Sequence, residues 1–431
     1  MLRRVVITAV GFAGAGIALL AGSGITTAQE MAAASYAAIP SEKGGQDFTG
    51  AYDVHVGWPR DISNLPGLDG EWTFGAGQSV FAESPDRIIY LQRGLLPKMD
   101  PPAPRSFPEL GPSLVFPNNA VWRNATRASI PANGGTGSSA EEGIQAWVDR
   151  GGRFNVDAKW DYSILVFDGD GNVTEAWRQW DFMMQRPHFV AINPYDPEKH
   201  VWIIDDHKHV IHKFTNDGST LVQTIGTYGV LGADETHFNR PTFLDWFPDG
   251  SFVVSDGYNG TRTVKFDADG NYMTSWGQPG SNGDEDRPGY WNNVHGIAVD
   301  PHTNRVFVND RGNRRIHVFD EDGNYLYEWT VGGRPASVHM FIITDDGYLW
   351  AADRGTHKIV KYDLDGNFLY AWGTHSEAPG GISGVHGMSV DSDGNLYLAQ
   401  VDNKGGVQKF VPREGANPDF LVSATPYVVQ Q

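Results

Sequence analysis

The chain contains no cysteine among its 431 residues. Disulfide bonds, thiol nucleophiles and thiolate metal ligands are therefore excluded. A metal site in this chain must be built from histidine, carboxylate or tyrosine side chains. Stability must come from the packing of the core, because no covalent cross-link can supply it.

Positive charge is also scarce. The sequence has 33 Lys and Arg against 52 Asp and Glu, which gives a formal net charge of −19 at pH 7. A surface of this sign repels phosphate groups, so the composition argues against nucleic acid and anionic lipid as partners. The sequence also lacks a G-x-S-x-G elbow, a P-loop and a G-x-G-x-x-G fingerprint. Serine-elbow hydrolysis and nucleotide chemistry are therefore without support.

The first residues have the pattern of an export signal. Arg3 and Arg4 supply a positive end, residues 5–25 carry no charge, and Thr26-Thr27-Ala28 offers small residues for cleavage. This pattern predicts a signal peptide over 1–28 and a periplasmic or secreted protein, with no membrane contact beyond the export signal. An uncleaved anchor is the alternative, because an uncharged stretch of this length can span a bilayer. The arginine pair does not assign an export route.

A strand-turn-strand unit recurs through the rest of the chain. Each unit carries an aromatic residue at the end of a strand, shortly before its second turn, and these aromatics are 43 to 53 residues apart. Units of four short strands with this period are typical of β-propeller blades. We therefore predict an all-β, six-bladed β-propeller over 51–415, with its blades marked by Phe167, Phe214, Phe266, Phe319, Tyr362 and Phe410.

The ends of the repeat array complete this prediction. No closing strand follows Phe410, and the strand candidate at 52–58 fits that place, so the N-terminal strand should close the last blade and leave no open edge. Residues 29–50 are predicted to be a flexible lead-in, and 416–431 a C-terminal tail. The stretch at about 97–160 interrupts the first blade, and we expect it to form a lid over one mouth of the ring.

Two groups of residues suggest metal sites but have simpler interpretations. Four Asp-rich turns lack the sixth-position glycine and distal glutamate of an EF-hand loop, so plain hairpin turns are favoured and a structural Ca²⁺ is the alternative. They begin at Asp168, Asp267, Asp320 and Asp363. His207, His209 and His212 are close in sequence. His209 follows a strand-ending aspartate by four residues, as His357 does, which favours turn and outer-strand positions over a surface metal site.

Histidine returns at the start of the inner strand in alternate units. His188, His295 and His386 open the inner strands of blades two, four and six. Inner strands line the channel of a propeller, so these positions should stand about 120° apart around its axis. Three converging imidazoles make a zinc site with an open position for water or substrate. Packing inherited with the repeat is the alternative interpretation.

Blades three and five carry Thr242 and His339 at the corresponding position. We expect His339 to be an additional ligand, a partner that orients a ligand, or a wall of the pocket.

The blades resemble NHL repeats, and particular residues resemble those of peptidyl-α-hydroxyglycine α-amidating lyase. The resemblance extends from about Tyr52 to Phe410. Its motifs are Pro187-His188, Val294-His295, Val385-His386, Leu91-Gln-Arg-Gly94, Ser255-Asp-Gly-Tyr258 and Asn309-Asp-Arg-Gly312. It implies zinc ligation by the three histidines, with Tyr258 as the catalytic base.

The same resemblance implies that Arg93 and Arg311 steady a substrate carboxylate and favour the ionised phenol. A phenol has a reference pKa of about 10 and is a poor base at neutral pH without nearby cations. Arginine also binds a planar carboxylate through two hydrogen bonds.

The sequence departs from the family in several places. His386 is followed by Gly387, where the family has aspartate, and the disulfides of the animal enzyme and its copper-binding monooxygenase half have no counterpart here. His339, the aromatic pair Tyr290-Trp291 and the long insertion indicate an altered pocket. Trp291 is therefore a candidate pocket residue together with His339 and Thr242.

Three functions remain open at this point. The leading hypothesis is an exported zinc lyase that acts on an α-hydroxylated amide or a related small-molecule or peptide substrate. The second is a non-catalytic NHL binding module, because a propeller fold alone does not define chemistry. The third is a metal-dependent lactonase or other hydrolase, although imidazole ligands favour zinc, copper, iron or nickel over a calcium-type ion. The sequence assigns no oligomeric state.

Overall fold

The computed structural model describes residues 38, 46–70, 72–97, 105–106, 115–116, 160–283, 285–376, 378–402 and 406–424. The predicted signal peptide and most of the insertion that was expected to form a lid lie outside these residues. Among the described residues, no helix has both the length and the apolar character needed to cross a bilayer.

Antiparallel strands make up nearly all regular structure in the described chain. The first fifteen are β1 (Tyr52–Val54), β2 (Trp72–Phe74), β3 (Gly77–Ser84), β4 (Arg87–Gln92), β5 (Leu95–Pro97), β6 (Arg105–Ser106), β7 (Val115–Phe116), β8 (Ile164–Phe167), β9 (Val173–Ala176), β10 (Pro187–Ile192), β11 (Val201–Asp205), β12 (Val210–Phe214), β13 (Leu221–Ile225), β14 (Leu244–Trp246) and β15 (Phe252–Asp256). The others are β16 (Arg262–Phe266), β17 (Tyr272–Trp276), β18 (Gln278–Pro279), β19 (Tyr290–Trp291), β20 (Val294–Val299), β21 (Val306–Asp310), β22 (Arg315–Phe319), β23 (Tyr325–Thr330), β24 (Val338–Ile343), β25 (Tyr348–Asp353), β26 (Lys358–Asp363), β27 (Phe368–Trp372), β28 (Val385–Val390), β29 (Leu396–Gln400) and β30 (Val407–Pro412). The helical segments are α1 (Gln46–Thr49) and the 3-10 helices Arg178–Met183, Arg311–Asn313 and Pro418–Phe420.

Six four-stranded sheets form the blades, which confirms the predicted six-bladed β-propeller. In chain order they are β3-β4-β8-β9, β10 to β13, β14 to β17, β20 to β23, β24 to β27, and β28-β29-β30-β1. The first blade is interrupted between its second and third strands, as its sequence predicts. Helix α1 falls within the stretch that the sequence assigned to a flexible lead-in, and Gly50 directly after it contacts the Trp372 ring closely enough that a Cβ would lie 2.7 Å away.

The N-terminal strand closes the ring. Strand β1 pairs antiparallel with β30, with Tyr52 opposite Pro412 and Val54 opposite Phe410. The Tyr52 side chain is buried, and its hydroxyl accepts a hydrogen bond of 2.7 Å from the Val422 amide. The last blade therefore contains strands from both ends of the propeller, and β30 is paired on both sides, with β29 and with β1.

The Asp-Gly turns connect the third and outer strands of a blade and contact the neighbouring blade. In the turn of blade four, Asp320 accepts hydrogen bonds from the backbone amides of Asp322 and Asn324 and from the Asn324 side chain. The donors of the turn itself therefore satisfy this carboxylate. Gly323 has φ +85°, and a Cβ there would lie 2.7 Å from the Trp276 ring of blade three. Glycine is needed both for the backbone conformation and for the approach of the two blades.

The packing at this turn gives a test of blade-to-blade contact. Gly323→Ala should lower the free energy of unfolding by about 1–3 kcal/mol more than Gly347→Ala, because it adds a clash to the same left-handed strain. Gly347 is the matched control, since it has φ +77° and no atom within 4 Å of an added Cβ. Urea denaturation measures both values. Equal losses would show that the Trp276 contact does not constrain this turn.

Buried histidines in the blades should make stability depend on pH. Burial lowers the pKa of His212 to about 4 from its ordinary 6.5. The unfolded chain therefore binds this proton more tightly, and the free energy of unfolding should fall as pH drops from 6.5 towards about 4. His212→Phe should remove up to about 1.4 kcal/mol per pH unit of that slope. Urea denaturation across pH 4–8 measures it, and an unchanged slope would contradict the expectation.

Candidate active site

The inner-strand histidines lie at β-bulges. The pairing register of the inner strand shifts between Pro187 and Phe189, between Val294 and Ile297, and between Val385 and Gly387. A bulge leaves a residue out of the regular ladder and redirects its side chain. In each case the predicted histidine lies within the shift. The same local irregularity therefore occurs in blades two, four and six.

The structure brings the three predicted ligands together. One nitrogen from each of His188, His295 and His386 lies within 4.8 Å of the others, and the centroids of the three rings are 4.6–5.1 Å apart. All three side chains are buried. The arrangement has the near-equal spacing expected of alternate blades that face a common axis.

Hydrogen bonds between blades fix the tautomer of each imidazole. The Nδ1 atoms of His188 and His386 donate to the backbone carbonyls of Thr242 and Gln78, both at 2.8 Å. His295 Nδ1 donates in the same way to the carbonyl of His339. Because a carbonyl can only accept, the proton of each neutral ring is on Nδ1 and the lone pair is on Nε2. Metal-binding histidines commonly show this pattern.

Burial keeps these rings neutral. It lowers the pKa of His386 to about 3 and, with the nearby positive groups, holds the pKa values of His188 and His295 well below 6.5. Tyr258 places its hydroxyl oxygen 3.0 Å from His188 Nε2 and 3.1 Å from His295 Nε2. One hydroxyl proton can satisfy only one of these lone pairs. The donor set therefore fits a cation such as zinc, which can accept all three nitrogens.

The centre is enclosed on two sides. Tyr258 covers one side, and its backbone reaches the axis because Gly257 lies against blade four, where a Cβ would be 1.6 Å from the Val294 carbonyl oxygen. Phe243 covers the other side, with its ring centroid 5.1–5.7 Å from the three imidazoles. Phe243 also lines a mainly apolar pocket, together with Phe189, Trp246 and Met340.

Arginines surround the Tyr258 ring. The guanidinium carbons of Arg240, Arg311 and Arg186 lie 4.4, 5.0 and 5.3 Å from the ring centroid. Asp206, which is fully buried, binds Arg240 through Nη2 at 2.7 Å and faces Arg186 Nε at 3.4 Å. Asp206 therefore holds two of the three arginines beside the tyrosine.

Arg93 is the most deeply buried of these arginines, with 1% of its surface exposed. Its Nη2 donates to the side-chain oxygen of Gln78. Burial, followed by the charge of Arg186, lowers the pKa of Arg93 to about 9. Its Nε and Nη1 have no hydrogen-bond acceptor in the part of the chain that the structure describes.

Several of these residues were not found from the sequence. Gln78 lies at the register shift between Gly77 and Ser79 and is the blade-one counterpart of the histidines, but the interruption of blade one hid the repeat position. Arg186 and Arg240 carry no motif of their own. The sequence signal that could have indicated Asp206 is its position directly after the strand-ending Asp205, which makes two consecutive aspartates.

The remaining predicted pocket residues are His339, Thr242 and Trp291, and they do not all lie at the histidine centre. His339 lies against His295 and His386, with ring centroids 5.3 and 5.4 Å apart, and Thr242 donates to the His295 carbonyl at 2.8 Å. Trp291 lies within blade four. It is fully buried in a hydrophobic cluster and donates to His317 in blade four at 3.2 Å, because the short strand β19 turns it into the blade.

The cluster of His207, His209 and His212 does not converge. His207 Nε2 accepts a hydrogen bond of 3.0 Å from Arg186, whereas His212 is buried against Thr224. His209 and His357 both have positive φ, at 59° and 56°, which agrees with equivalent turn positions. A second group that the sequence did not indicate, Asp196, Glu198 and His200, lies at metal-binding distance on a partly exposed loop.

The fold and the centre define a six-bladed β-propeller with three convergent histidines beneath a tyrosine. Comparison with known proteins agrees with the propeller fold. The family model DUF5128, described as a 6-bladed beta-propeller, matches residues 292–376. The chain resembles NHL-repeat proteins and peptidyl-α-hydroxyglycine α-amidating lyases, as three relatives show.

The mouse peptidyl-glycine alpha-amidating monooxygenase is 35% identical over 140 residues, which are 32% of this chain and 14% of the relative. The mouse NHL repeat-containing protein 3 is 35% identical over 177 residues, covering 38% and 48%. The probable peptidyl-alpha-hydroxyglycine alpha-amidating lyase of Caenorhabditis elegans is 32% identical over 133 residues, covering 31% and 36%. The chain thus matches less than half the length of each of these relatives, and the similarity supports a lyase-like propeller.

Metal analysis tests the centre directly. The purified protein should bind about one zinc per chain, as expected for a three-histidine site, and His295→Ala should lose it while the circular dichroism spectrum is retained. His209→Ala is the control, because that histidine lies in a turn outside the centre. Failure of the unchanged protein to take up added zinc would contradict the assignment.

Proposed function

We propose that the protein is an exported zinc-dependent lyase that cleaves an α-hydroxylated amide at its hydroxylated carbon. The observation that carries this proposal is the position of the Tyr258 hydroxyl, within 3.1 Å of two Nε2 atoms of the histidine centre. The sequence similarity supports it, since one of the three relatives is named an alpha-amidating lyase and another an alpha-amidating monooxygenase.

His188, His295 and His386 would hold the metal through Nε2. A zinc ion bound there supplies Lewis-acid polarisation of a substrate hydroxyl. Phe243 and the buried inner strands exclude water from the opposite side of the centre. The interblade hydrogen bonds hold the Nε2 lone pairs of the three rings in a fixed orientation, so no free energy of reorganisation is needed during the reaction.

Tyr258 would move the proton. In its ionised form, the phenol oxygen takes the proton of the substrate hydroxyl while that hydroxyl oxygen forms a carbonyl bond and the carbon–nitrogen bond breaks. The departing amide nitrogen then receives a proton from the same phenol, which returns Tyr258 to its starting state. The products are an amide and an oxo acid. General acid–base catalysis of this kind typically contributes about 10²–10⁴-fold to the rate.

The arginines would place the substrate and its charge. Two nitrogens of Arg93, Nε and Nη1, have no acceptor among the described residues, and Arg311 lies 5.0 Å from the Tyr258 ring centroid. A carboxylate on the hydroxylated carbon could bind both groups while its hydroxyl faces the histidines. Guanidinium forks suit this role because they bind carboxylates in a fixed plane.

A binding module is the second candidate, because the relative with the greatest matched length among these three is an NHL repeat-containing protein. Full function of a metal-free protein would favour it. Assay of lactones beside N-acyl-α-hydroxyglycines separates the lyase from a metal-dependent lactonase.

The tyrosine gives the decisive variant. Tyr258→Phe should lower kcat on an N-acyl-α-hydroxyglycine by at least about 10²-fold, because the proton acceptor is lost, while zinc content stays the same. Tyr272→Phe is the matched control, since this hydroxyl contacts Ser275 on the outer strand of blade three. Turnover is measured as oxo-acid release. Unchanged kcat in Tyr258→Phe would remove this residue from the mechanism.

A further inference from the structure

Positive charge is concentrated around Tyr258 in a chain of formal net charge −19. Arg186, Arg240 and Arg311 lie within 5.3 Å of the Tyr258 ring centroid. Arg93 is near these groups, since the charges of Arg186 and Arg240 add to burial in lowering its pKa. Four guanidinium groups therefore face one small volume beside the histidine centre.

These guanidinium groups have few carboxylate partners. Asp206 is shared between Arg186 and Arg240. Within the described ranges, Arg93 and Arg311 have no carboxylate within ion-pair distance. The neighbouring Asp205 is occupied, since its oxygens accept from the backbone amides of Gln185, Arg186, His207 and Lys208. The arginines thus exceed their local counter-charges.

Free donors accompany this excess. Arg93 Nε and Nη1 have no acceptor among the residues that the structure describes. The contacts of Arg240 to Asp206 use Nε and Nη2. Arg186 uses Nη1 for His207, and its Nε lies 3.4 Å from Asp206 without a hydrogen-bond partner in the described chain. Arg186 Nε and the two Arg93 nitrogens are thus the buried guanidinium donors that a ligand would satisfy among the described residues. Buried cationic donors without acceptors are costly, and an anion restores the lost hydrogen bonds.

We propose that the substrate carries two carboxylates. One is attached to the hydroxylated carbon and binds Arg93 and Arg311, and the other is on the acyl side and binds Arg186 and Arg240. This inference rests on the lyase proposed above and deepens it by defining the substrate class as a small dicarboxylic α-hydroxylated amide. A single carboxylate would leave one of the two arginine pairs without a ligand.

Binding of two simple α-hydroxy acids tests this without turnover. Calorimetry on the zinc-loaded full chain should give malate, with two carboxylates, at least about tenfold higher affinity than lactate, with one. Arg186→Gln and Arg240→Gln should each lower malate affinity about tenfold and leave lactate affinity within about twofold. Arg240→Lys, which retains the charge, should lose less.

The control is Arg354→Gln. After burial, the charge of Arg354 contributes to the lowered pKa of Arg311. Arg354 nevertheless has its own partner, since it binds Asp402 through two hydrogen bonds of 2.6 Å. Its loss should not change the ratio of malate to lactate affinity. Retained zinc content and an unchanged circular dichroism spectrum show that a variant folds. If the Gln variants do not fold, Arg240→Lys still tests the proposal.

Equal affinity for the two acids, equal losses for both in the Gln variants, or binding of neither acid would overturn the two-carboxylate site. Turnover of monocarboxylic hydroxyglycine amides with no gain for dicarboxylic ones would also overturn it, while leaving the lyase in place. A malate preference that depends on Arg186 and Arg240, without turnover of any amide, would support the site and contradict the lyase.

Discussion

The hydrogen bond from each histidine Nδ1 to a backbone carbonyl of the next blade is the interaction on which the centre depends. His188, His295 and His386 each make it, and the carbonyls belong to blades three, five and one. The bond exists only when neighbouring inner strands are packed side by side. Closure of the ring therefore sets the tautomer, and the tautomer directs three Nε2 lone pairs to one point.

The carbonyl that His386 needs belongs to Gln78 in blade one, across the join at which the two ends of the propeller meet. Strand β1 completes that join by pairing with β30. Gln78 also contacts Arg93 through its side chain. One residue thus links ring closure, the histidine centre and the arginines, and a loosened last blade would disturb all three.

The charge around Tyr258 is positive, whereas the net charge of the chain is negative. An acidic surface repels anions at long range, but the arginines beside Tyr258 create a local field of the opposite sign, and a partly enclosed site with low-dielectric walls strengthens it. Asp206 balances only part of this charge, and its burial between Arg186 and Arg240 holds both guanidinium groups in place. The result is a site that favours anions and a protein that remains strongly acidic.

The sequence by itself determined the blade count, the Asp-Gly turns and the identity of the three central histidines, because these follow from periodic patterns that local backbone chemistry imposes. Only the tertiary structure decided what surrounds them. Gln78 occupies a repeat position that the interrupted first blade hid, and Arg186 carries no motif of its own, whereas Trp291 lies beside a site motif but turns into a blade. Side-chain direction at a bulge or short strand depends on packing between blades, which no local pattern encodes.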